Sequence, residues 1–68
     1  MNPRHIRAEL LKRGYTLRAI AQELDLSDRT IGNIVHGRGK SRRVAAHIAA
    51  LLGRPVSRLW PGKYEEAR

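Results

Sequence analysis

Apolar residues recur along this chain at intervals of three and four, the spacing that lays them along one side of an α-helix. Ile6 and Leu10, with Leu11 beside them, make a first stripe, and Leu17, Ile20, Ala21 and Leu24 a second. Ile31, Ile34 and Val35 make a third, and Val44, Ala45, Ile48, Leu51 and Leu52 a fourth. Polar and breaking residues punctuate these stripes. Asn2 before Pro3 has the form of an N-cap followed by proline at the first helical position, where the missing N–H costs nothing. Lys12 and Arg13 suit the negative end of a helix dipole, and Gly14 can take the left-handed conformation that stops a helix. The pattern therefore predicts a helix over residues 3–13.

Thr16 is the expected cap of a second helix and Ser27 of a third, which runs to about His36 and ends at Gly37. Only Asp25 and Leu26 stand between the second stripe and Ser27, so the connection is a tight turn. Ser41 should cap a fourth helix that Gly53 ends. Pro55 opens a short last turn carrying Val56, Leu59 and Trp60, which Pro61 and Gly62 stop. The stretch from His36 to Arg43 reads as a flexible basic loop entering the fourth helix. The expected organisation is a single all-α domain over residues 1–62, followed by a flexible C-terminal tail over residues 63–68.

Composition narrows this further. A chain of 68 residues can bury only about 60% of its unfolded surface and must use most of its apolar side chains to do so. Those are Leu, Ile, Val and Ala, with no Phe, one Trp and two Tyr, a set suited to short packed helices. With no Cys, disulfide and thiol chemistry are excluded. The three His and six acidic residues show no metal-ligand spacing, and no nucleophile–base pair stands out. Neither an enzyme nor a cofactor-dependent protein is expected. No apolar run approaches the ~18 residues of a membrane span, and no secretory signal precedes the first helix. A cytoplasmic location is the expectation that follows.

Charge supplies the partner. Fourteen basic residues against six acidic ones leave a formal net charge of +8. So large a charge on so small a body attracts polyanions. Most of the basic residues are Arg, whose planar fork matches phosphate oxygens and the guanine edge. Nucleic acid is the first partner this suggests, and an anionic membrane surface the second.

The second and third helices, joined by a short turn, have the spacing of a helix-turn-helix. Such a pair needs a small residue where the helices touch, supplied here by Ala21, and apolar residues toward the core. At 100° per residue, Ile31, Ile34 and Val35 fall on one side of the third helix. Arg29, Asn33 and His36 fall on the other, with Gly32 beside them and Asp28 and Thr30 at the flanks. A helix held by one face and offering Arg and Asn on the other fits a DNA major groove, where Arg can pair with guanine and Asn with adenine. Base-reading candidates are therefore Asp28, Arg29, Thr30 and Asn33. Asp28 has a second reading, as an acid favoured at a helix N-terminus. Phosphate candidates are Thr16, Arg18, Ser27, Arg38, Lys40, Arg42 and Arg43. Ser27 is first of all an N-cap, and a charged loop such as that carrying Arg38 to Arg43 is in general merely solvated. Gly32 lies on the outer face of its helix, where it fills no packing need. Close approach of DNA would explain it, and the plain alternative is a tolerated helical glycine.

Three stretches carry a resemblance to a known family. They are Asn2-Pro3-Arg4-His5-Ile6-Arg7-Ala8-Glu9-Leu10-Leu11-Lys12-Arg13-Gly14, then Leu24-Asp25-Leu26-Ser27, then Ile48-Ala49-Ala50-Leu51-Leu52-Gly53 through Leu59-Trp60-Pro61-Gly62-Lys63-Tyr64. The chain resembles the lambda-repressor-like helix-turn-helix class, and within it the Ner-like negative regulators of transposable phages. That resemblance implies a compact five-helix domain that binds an operator in double-stranded DNA and represses early-type promoters. One departure is Asp25, in the turn position where the family usually has Gly. Asp reaches positive φ more readily than most residues, so the turn is retained. With no long apolar surface for a stable dimer, a homodimer is expected to form on DNA. An antitoxin-like module that binds a protein partner and a non-specific basic nucleoid protein are the competing expectations. The first is disfavoured by the short stretch left over after residue 62, the second by the organised face of the third helix.

Overall fold

A computed structural model describes residues 1–64. They form five helices and no strand: α1 (Pro3–Lys12), α2 (Leu17–Leu24), α3 (Asp28–Val35), α4 (Arg42–Leu52) and α5 (Val56–Leu59). None of these helices is long and apolar enough to cross a membrane.

The expected caps are in place. Asn2 accepts from the Arg4 amide at 2.8 Å, Thr16 from Ala19 at 3.0 Å, Ser27 from Thr30 at 3.1 Å and Ser41 from Val44 at 3.2 Å. Each bond satisfies an amide that the helix itself leaves without a partner. The C-terminal ends are closed as regularly. At the end of α2, Leu26 N–H reaches back to the Ala21 carbonyl at 2.8 Å and Asp25 N–H to Gln22 at 3.3 Å. This crossed pair of bonds needs a left-handed residue between helix and exit. Asp25 supplies it with φ 58° and ψ 46°. Gly37 does the same at the end of α3 with φ 79°, so the two termini that frame the turn and the basic loop are built alike.

The helices close around a core in which Ile6, Leu10, Ile20, Ile31, Ile48 and Leu59 are fully buried. α2 and α3 make the most extensive helix pair, and α3 also packs on α1 and α4. Ala21 is buried at the α2–α3 junction, as a close crossing requires. The stripes differ from expectation at their edges. Leu11 is 58% exposed, because α1 is in contact with the core only along the Ile6–Leu10 line. In α4, Ala49 is buried while Leu51 is only partly so.

Two expectations are corrected. The boundary at residue 62 is too early: Lys63 and Tyr64 belong to the folded body, and Tyr64 is buried against Trp60 with ring centroids 5.7 Å apart at 70°. Residues 65–68 of the expected tail lie outside the described residues. The stretch from Gly37 to Ser41 is not a loose loop either. Arg38 N–H and Gly39 N–H both bond the Asn33 carbonyl, at 2.9 and 3.3 Å, and Lys63 and Tyr64 bond Gly37 and Ser41 at the two ends of the loop.

Candidate nucleic-acid interface

The third helix presents the division its sequence implies. Ile31, Ile34 and Val35 are buried, with at most 4% exposure, and they anchor the helix in the core. On the opposite side Asp28, Arg29 and His36 are exposed, and Thr30, Gly32 and Asn33 are half-exposed. No protein segment among the described residues buries that side. A Cβ built on Gly32 would meet nothing within 4 Å, so the protein's own packing imposes no need for glycine there.

The N-termini of α2 and α3 are brought side by side. Arg18, in the first turn of α2, lies 3.9 Å from the Asp28 carboxylate in the first turn of α3. Both side chains are largely exposed, so the pair contributes little stability. It does balance the one acidic charge on this face. Next to it, Ser27 Oγ caps α3 and shares a 2.9 Å hydrogen bond with the Thr30 hydroxyl. Thr16 caps α2. Of the polar candidates, Thr16, Ser27 and Thr30 are thus already engaged in capping.

The basic candidates separate into groups. Among the described residues, the side chains of Arg29 and Arg38 have no hydrogen bond or ion pair with the protein. Lys40 lies over the Tyr64 ring, 5.9 Å from its centroid, within cation–π reach. Arg42 is exposed in the first turn of α4. Arg43 donates to the Leu24 carbonyl at 3.3 Å, a bond from α4 to the last residue of α2. The guanidinium therefore satisfies a helix-end carbonyl beside the turn, a structural task that the sequence reading did not give it.

Sequence reasoning also missed the hydrogen bonds that support the face from behind. Trp60 Nε1 donates to the Val35 carbonyl at 3.1 Å, Lys63 Nζ to the Gly37 carbonyl at 2.8 Å, and Ser41 N–H to the Tyr64 hydroxyl at 3.2 Å. The signal was an aromatic residue placed just past a Pro-Gly turn in a chain short of core material. A further bridge joins α2 to α4, where His47 Nε2 and Glu23 Oε1 are 2.8 Å apart.

A helix pair joined by a left-handed tight turn, with one helix anchored on one side and bare on the other, defines a helix-turn-helix DNA-binding domain. A family model described as winged helix-turn-helix DNA-binding matches residues 1–68. The chain belongs to that family. The described residues carry the helix-turn-helix and no β-wing. No curated protein and no solved structure shows a significant match.

Proposed function

We propose that this DNA-binding regulator is a sequence-specific repressor of the Ner-like type, reading its operator with the outer face of α3. Arg29 and Asn33 read base edges, with Asp28 and Thr30 at the flanks of the same face. Asp28 accepts from a cytosine amino group once Arg18 turns to the backbone. Arg38, Lys40 and Arg42 contact phosphates on the loop side, and Arg18 does so at the start of α2. Thr16 and Ser27 present capped helix N-termini to phosphate, where the partial positive charge of the amides is favourable. Arg43 adds its charge while bracing the turn.

The observation that carries this reading is the bare face of α3, with Arg29 unpaired on it and Gly32 leaving room for close approach. The 3.9 Å approach of Arg18 to Asp28 supports it, because it shows the starts of α2 and α3, each capped by its own side chain, lying on the same side. One copy spans few base pairs, so two copies on half-sites about 34 Å apart, one DNA turn, form the repressing unit on DNA.

Selection of sites from random duplex DNA tests the reading. A repressor of this kind enriches one motif and prefers it over random DNA by about 10³-fold or more. Enrichment of no motif, with binding governed by salt alone, would support a non-specific nucleoid role instead.

A further inference from the structure

We propose that Tyr64 is a positioning residue for DNA binding, the end of a strap that orders the basic loop before DNA arrives. This rests on the DNA-binding reading above and assigns a role within it to the segment Trp60–Tyr64.

The strap reaches the loop at three successive points. Trp60 bonds the carbonyl of Val35, the last residue of α3. Lys63 bonds the carbonyl of Gly37, the residue whose positive φ turns the chain out of α3. Tyr64 accepts from the amide of Ser41, the residue that caps α4. Lys40 then lies over the Tyr64 ring. Both ends of the segment that carries Arg38 and Lys40 are therefore held by residues at least 23 positions away in sequence.

The strap matters because of what the loop is made of. Gly37 and Gly39 flank Arg38, and a glycine-rich segment loses more conformational freedom on ordering than any other. A loop ordered only on contact with phosphate would charge that entropy to every binding event. A loop ordered beforehand does not, which is the general advantage of preorganisation. The Ser41 amide is also the point from which α4 starts, so the Tyr64 hydroxyl sets where Arg42 and Arg43 begin. Burial of Tyr64 to 8% exposure and its edge contact with Trp60 keep the hydroxyl in place.

The test compares the unaltered protein with Tyr64→Phe and Tyr64→Leu, using a short mixed-sequence duplex as probe. Affinity and its salt dependence are measured well below each variant's melting temperature, and amide hydrogen exchange is measured without DNA. Tyr64→Phe loses one hydrogen bond and is expected to weaken binding by about three- to tenfold. The slope of log K against log salt stays the same, because the same phosphates are contacted at a higher ordering cost. Tyr64→Leu also loses the ring under Lys40 and weakens binding further. In the unaltered free protein the Ser41 amide is protected from exchange, and Tyr64→Phe removes most of that protection.

An unprotected Ser41 amide in the unaltered protein would overturn the proposal, however the variants behave. So would a Tyr64→Phe variant that loses Ser41 protection yet binds DNA as tightly as before, since the strap would then serve stability only. A salt slope lowered by about 0.9 or more would mean a lost phosphate contact rather than an ordering cost, and would overturn it as well. An unaltered protein with no affinity for duplex DNA would sink the DNA-binding reading together with this one. Equal binding by unaltered and variant protein sinks this one alone.

Discussion

The indole N–H of Trp60 donates to the carbonyl oxygen of Val35 across 3.1 Å in the interior of the domain, joining residues 25 positions apart. Val35 is the last residue of α3, and a carbonyl there has no partner within its own helix. The bond satisfies that carbonyl and ties the end of α3 to the end of α5. Replacing Trp60 with Phe keeps an aromatic ring but leaves the acceptor buried and unpaired, at a cost of about 1–3 kcal/mol. For a domain of this size each kcal/mol lowers Tm by about 4–8 °C. Thermal unfolding followed by circular dichroism should show a drop of at least ~4 °C, and an unchanged Tm would mean the indole bond contributes nothing.

Asp25 stands where the chain needs a left-handed residue, at φ 58°. A side chain in this region meets its own backbone, and glycine does not. Asp25→Gly should therefore stabilise the domain, by up to ~1 kcal/mol once glycine's extra freedom in the unfolded chain is subtracted. The check is a Tm raised by a few degrees. A lower Tm would show that the aspartate side chain is favoured in the turn for a reason its geometry does not reveal.

Gly32 separates stability from function. Its Cβ position opens on empty space, so Gly32→Ala should raise helix stability by about 0.5–1 kcal/mol. The same methyl group lies on the face proposed to enter the groove and should weaken DNA binding. A higher Tm together with a higher Kd is the expected combination. Affinity that rises or stays level with stability would place DNA elsewhere on the protein.

Two arginines of the basic cluster should answer differently to alanine. The Arg38 side chain has no partner among the described residues, so Arg38→Ala should leave stability within about 0.5 kcal/mol of the original, with a correspondingly small change in Tm. It should weaken binding to all sequences alike and lower the salt slope by about 0.9. Arg43→Ala also removes the bond to Leu24, and Tm should fall along with affinity. If the two variants match in both assays, the Arg43–Leu24 bond has no energetic role.

Base reading predicts a different signature for Arg29. Arg29→Ala should cost about 1–3 kcal/mol at one operator position and flatten the preference there, while binding to random DNA changes far less. Site selection repeated with the variant is the measurement. An identical motif from both proteins would exclude Arg29 from base contact.

Much of this domain is settled by features local in sequence. Helix periods, the capping side chains of Asn2, Thr16, Ser27 and Ser41, and a turn-tolerant Asp25 each act within about five residues. Short-range geometry is therefore enough to place five helices and to divide α3 into an inner and an outer face. Only the tertiary structure decided which polar side chains are already committed. Arg43 is bound to Leu24, Lys63 to Gly37 and Tyr64 to Ser41, and Arg18 faces Asp28. Each of these pairs joins residues ten or more positions apart, and no periodicity encodes such a meeting. The pairs made by Lys63 and Tyr64 arise because the chain folds its last aromatics back over the helix they support, where leaving them in water would cost a small core more than it can lose.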